Sequence, residues 1–135
     1  MHNKDLASDY IERAGHRLAA LEVLWERKSF ADVVREAQEL IELCLKAILR
    51  MGGVEPPRSH DLSDILLNSA NRLAPEIRPQ VKTLANISRK LRRDRELSFY
   101  GSEDLTPSDF YKLEDAEEAF ENAKWIYGMA HSLLK

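Results

Sequence analysis

Apolar residues recur every three or four positions through Leu6, Tyr10, Ala14, Leu18, Leu21 and Leu24/Trp25. That spacing is one face of an amphipathic helix, because 3.6 residues complete a turn, and it predicts a first helix over residues 3–28. A second helix is predicted from Ser29, a good N-cap residue, to the pair Gly52-Gly53, a good C-terminal stop. Its stripe of Phe30, Val33, Val34, Ala37, Leu40, Ile41, Cys44, Leu45, Ile48 and Leu49 is wider than the first. Such a helix contacts neighbours on two sides, either within the chain or across a dimer.

Residues 54–58 hold Pro56-Pro57 and form a stiff loop, because paired prolines forbid helix continuation. A short helix over 61–73 follows, capped by His60 or Asp61, with Leu62, Ile65, Leu66 and Ala70 inward. Pro75 and Pro79 bracket the start of a fourth helix that runs into the 90s, burying Ile77, Val81, Leu84, Ile87/Ser88 and Leu91. After a loop over 101–106, Thr106-Pro107 or Ser108 opens a last helix. Its predicted inner face is Phe110, Leu113, Ala116, Phe120, Ala123, Tyr127, Ala130 and Leu134. No alternating strand pattern competes. The expected fold is all-α, an antiparallel up-down bundle of four long helices and one short one, as a single domain over 1–135.

Composition adds bounds. Of 135 residues, 44% are hydrophobic and 32% charged, which is ordinary for a folded domain and excludes a disordered chain. A net charge of -3 gives no global attraction to nucleic acid, so any basic site is local. The single Cys44 allows no disulfide within the chain and reads as a small buried hydrophobe. No apolar run approaches the roughly 18 residues of a membrane span, and residues 1–5 do not begin a signal peptide. A cytoplasmic protein without membrane association is expected.

Candidate chemistry concentrates in Arg89-Lys90-Leu91-Arg92-Arg93-Asp94-Arg95, with five basic residues and one acid. As a functional patch it would grip the phosphates of a nucleotide or RNA with arginine forks, and Phe99 and Tyr100 would supply stacking surface. As plain surface it would pair with Glu114, Asp115, Glu117, Glu118 and Glu121 of the last helix, the two rings packing the helix end. His2, His16, His60 and His131 have no metal-ligand spacing, so no metal or other cofactor is expected. His60 reads as a loop or capping residue more readily than as a general base. Glu36, Glu39 and Glu42 lack the Glu-x-x-His companion of a di-iron bundle, and at least two of them should be plain solvent-facing charges.

Taken together, several segments resemble the HEPN family. Ala37-Gln38-Glu39-Leu40-Ile41-Glu42-Leu43-Cys44-Leu45-Lys46-Ala47-Ile48-Leu49 is similar to its Glu-x-x-(Leu)-Lys-Ala-Leu/Ile-Leu helix. Gly52-Gly53, Pro56-Pro57 and His60-Asp61-Leu62 resemble its passage into a short helix. Arg95-Glu96-Leu97-Ser98-Phe99-Tyr100-Gly101 resembles the Arg-Glu-x-x-x-Tyr-Gly end of its fourth helix, and Tyr111 through Lys124 its closing alanine-rich helix.

The resemblance implies a helix-bundle homodimer, and in many members a metal-independent ribonuclease with an Arg-x(4–6)-His motif. In toxin–antitoxin members this extends to Arg-x4-His-x-Tyr. Aligning Tyr100 with that tyrosine puts Arg93 at the arginine and Ser98 at the histidine. Serine has no basic nitrogen near neutral pH, so it cannot replace imidazole in proton transfer. The resemblance therefore implies a non-catalytic module paired with a minimal nucleotidyltransferase in a toxin–antitoxin-like or defence system. Its site would be Arg89, Arg92, Arg93, Arg95 and Tyr100, with Tyr100 also the residue such a transferase could modify. The alternatives are a divergent ribonuclease using Arg93 or Arg95 with His60, and a structural helical adaptor without ligand.

Overall fold

The computed structural model describes residues 3–58, 61–100 and 106–134, without the side chains of 93–100 and Pro107. Four long helices carry the architecture: α1 (Asn3–Glu26), α2 (Phe30–Met51), α4 (Val81–Tyr100) and α6 (Leu113–Ser132). The short helices α3 (Ser63–Asn68) and α5 (Pro107–Phe110) and two 3-10 turns, Ala70–Arg72 and Arg78–Gln80, lie between them. No strand occurs among the described residues. The all-α bundle expected from periodicity is present.

Direction follows from side-chain pairs. Arg17 Nη1 donates to Glu36 Oε1 at 2.9 Å, and Arg50 Nη1 donates to Asn3 Oδ1 at 3.1 Å. Advancing along α1 thus means retreating along α2, which is antiparallel packing. The Trp25 ring lies 5.2 Å from Phe120, and Gly15 faces the Tyr127 hydroxyl, so α6 also opposes α1. α2 and α6 consequently run parallel, and they pack across the centre of an up-down-up-down bundle.

α2 is the hub. Leu40, Ile41, Cys44, Leu45, Ala47, Ile48 and Leu49 are all at most 1% exposed and cover somewhat more than half of the helix circumference. The breadth of its stripe is taken up inside the chain, by α1, α6, α4 and α5. α6 turns Ala116, Ala119, Ala123 and Ala130 inward. Small side chains permit close interaxial approach, which brings α6 down onto α2.

Three expectations need correction. The last helix is not continuous: α5 ends at Phe110, Lys112 is extended at φ -104° and ψ 173°, and α6 begins at Leu113. Each start has its own cap. Asp109 Oδ2 accepts from Thr106 Oγ1 at 2.9 Å, and Asp115 Oδ2 accepts from the Lys112 N–H at 2.9 Å. The break shifts the register, so Phe110 and Leu113 are 40% and 47% exposed, while Tyr111 is buried instead. The short helix predicted over 61–73 likewise divides into α3 and a 3-10 turn. The N-cap position falls on Leu62 rather than Asp61, although Asp61, one residue earlier, accepts from Ser63 N–H at 2.9 Å and Ser63 Oγ at 2.6 Å; His60 lies outside the described residues. Finally, Glu36, Glu39 and Glu42 are all partly buried rather than solvent-facing, with Glu36 held by Arg17 and Glu42 4.0 Å from Lys46.

Candidate functional site: the two sides of helix α4

The basic run sits on the second half of α4, and helical geometry distributes it. Neighbouring residues differ by about 100° around a helix, whereas residues three apart share a face. Arg89 and Arg92 therefore look one way and Lys90 another.

On the first side α4 meets α3. Ser88 Oγ accepts the Leu62 N–H at 2.8 Å inside the protein, anchoring the start of α3 to α4. Asp61 stands beside this anchor. Burial works to raise its carboxyl pKa, but the Ser63 hydrogen bonds and the charges of Arg89 and Arg92 outweigh it, leaving it below its ordinary value. Arg92 also borders a cavity of about 20 Å³ with Gln38, Glu42 and Ser88. Gln38 is only 5% exposed, and its Nε2 has no hydrogen-bond partner among the described residues. A space of that size holds one water, which would satisfy the amide. Arg89 and Arg92 thus act on Asp61 through their charge, while both side chains remain exposed.

On the other side α4 faces α6 across an open cleft of about 230 Å³. Its wall on α4 is Thr83, Asn86, Ile87, Lys90 and Leu91, positions separated by threes and fours. Val34 of α2 lies beneath, and Tyr111 closes one end. Lys90 Nζ donates to Glu118 Oε1 at 2.8 Å, both side chains about half exposed. The cleft exists because α6 settles on α2 and stands off α4. Sequence reasoning missed it: no local pattern in 83–91 or 111–122 reveals which helix each will face.

The side chains of Arg93, Arg95, Ser98 and Tyr100 lie outside the described residues, although their backbone continues α4 as helix. Of the five predicted site residues, the structure thus locates the side chains of Arg89 and Arg92, both near Asp61. Lys90 takes the ion-pair role that the plain-surface reading assigned to the run. Cys44 is fully buried, and that burial pushes its thiol up to about 12. No group of three or more potential metal ligands occurs among the described residues, and none of the described helices is long and apolar enough to cross a membrane.

Compared with protein-family models, the chain matches the one described as HEPN domain over residues 7–133. Neither the curated proteins nor the solved structures give a match.

Proposed function

The chain belongs to the HEPN family, and from that premise we propose that it is a non-catalytic nucleotide- or RNA-binding module. The observation that carries the reading is the residue at position 98. The family's ribonuclease motif, aligned on Tyr100, puts serine where proton transfer needs imidazole. Arg89, Arg92, Arg93 and Arg95, with Tyr100, are the phosphate-binding candidates, whereas Lys90 is paired with Glu118. The finer reading is a cytoplasmic homodimer acting with a minimal nucleotidyltransferase in a toxin–antitoxin-like or defence system, with Tyr100 as the modified residue.

A direct test uses labelled single-stranded RNA. Wild-type protein is expected to bind it without cutting it in EDTA, and Arg93→Ala with Arg95→Ala to weaken binding and flatten its salt dependence. Ser98→His restores the missing group and is expected to confer slow cleavage that Arg93→Ala abolishes. Metal-independent cleavage by the wild type would replace this reading with the divergent ribonuclease. For the partner, mass spectrometry after co-expression with a neighbouring transferase should find a nucleotide adduct on Tyr100.

A second reading, a helical adaptor, is favoured by one specific observation. Lys90, within the basic run, is paired with Glu118 of the last helix, as a plain surface would have it.

A further inference from the structure

The α4–α6 cleft has the makings of a protein-docking groove. Its interior is apolar where Ile87, Leu91 and Ala119 meet Val34 beneath. The stretch from Thr83 to Leu91 rises roughly 12 Å, about two helical turns. A groove between two antiparallel helices, floored by a third, is shaped for a further helix lying along it.

Its α6 wall is acidic. Asp115 and Glu118 lie there, and among the described lining residues the one cation is Lys90, which is paired with Glu118. Exposed Glu114, Glu117 and Glu121 flank that wall on the same helix. This charge repels a phosphate group and favours a cationic occupant.

Beyond the cleft, the same face of α6 continues. Stepping by three and four residues from Asp115 leads through Glu118 and Asn122 to Trp125, whose large ring is 40% exposed. Exposed tryptophan at the edge of an apolar groove is the residue type that anchors protein interfaces.

We propose that the α4–α6 groove docks a basic amphipathic helix of a partner protein, its apolar stripe in the cleft and against Trp125, its lysines or arginines over Asp115 and Glu118. Asn86, Asn122 and Thr83 supply polar contacts along the walls.

The test uses two labelled synthetic helices with identical leucines at i, i+3, i+4 and i+7, one flanked by lysines and one by glutamates. The lysine peptide is expected to bind the full chain at least about tenfold tighter than the glutamate peptide at physiological ionic strength. Trp125→Ala should weaken it about tenfold, while Leu113→Ala, an equally exposed apolar residue on another face of α6, leaves it unchanged. Glu118→Lys should abolish the preference for lysine, and Glu117→Lys, with the same change in net charge one residue away, should retain it. Circular dichroism melts confirm that each variant is folded. Equal losses in Glu117→Lys and Glu118→Lys would reduce the effect to unspecific charge attraction and overturn the proposal. So would binding of neither peptide, displacement of the bound peptide by adenosine, or self-association that Trp125→Ala abolishes, the last making a second copy the occupant. Failure of RNA binding with intact peptide docking would sink the proposed function alone.

Discussion

Lys28 has a positive φ of 58°, an uncommon value for a side chain with a Cβ. It occupies the left-handed position that ends α1: Ser29 N–H donates to Leu24 O at 3.0 Å and Lys28 N–H to Trp25 O at 3.0 Å. α2 ends by the same bond pattern, Val54 to Leu49 and Gly53 to Arg50, but there glycine holds the special residue at φ 73°. Two identical stops thus differ only in whether the strained position has a side chain. Lys28→Gly is expected to stabilise the protein by about 1 kcal/mol, read as an increase in urea midpoint at unchanged slope. Glycine at position 52 has a different cause, since a Cβ there would lie 2.7 Å from the Arg72 carbonyl oxygen. Cys44 gives another residue-scale test. With its thiol buried and pushed up to about 12, it should not react with a thiol reagent at pH 8 until the protein unfolds. Prompt labelling of the native protein would contradict its place in the core.

Helix starts show how an element is decided by a few side chains. The Thr106-x-x-Asp109 pattern opens α5, and only six residues later the Lys112 N–H and Asp115 carboxylate open α6. Apolar spacing through Phe110 and Leu113 suits one uninterrupted helix. A second cap so close to the first resets the register and turns Tyr111 inward instead. In the sequence Asp115 read only as one of the acids of the last helix, because that helix was expected to open at Thr106-Pro107 or Ser108. At α3 the start depends on Asp61, whose depressed carboxyl pKa makes its contribution dependent on pH. Because the folded pKa lies below the unfolded one, that stability is complete above the ordinary carboxylate value of 3.8 and fades as pH falls through the folded value. Asp61→Asn keeps an accepting oxygen but removes the charge facing Arg89 and Arg92. It should lower stability at pH 7 by less than about 1 kcal/mol, since the site is partly exposed. The gap from wild type should close as pH is lowered from 5 to 2.5; urea midpoints across that range provide the check.

At the scale of the whole molecule, stability rests on α2, so Leu40→Ala should cost about 3 kcal/mol by leaving a cavity at a site enclosed on every side. Leu67→Ala, at a position 41% exposed, should cost well under 1 kcal/mol, both variants being read from urea midpoints. By itself the sequence determined the number of long helices, the widest apolar stripe, the proline loop and the serine at position 98. Those depend on local spacing, caps and residue identity, which the chain carries wherever it goes. It also placed Arg89, Lys90 and Arg92 in one run, but a run in sequence fans out around a helix. Only the packing decided that Arg89 and Arg92 face Asp61 while Lys90 faces Glu118, because that requires knowing which helix lies on each side of α4. The cleft was invisible for the same reason. It arises where the alanine face of α6 draws that helix onto α2 and away from α4, and a gap between two surfaces belongs to neither sequence segment alone.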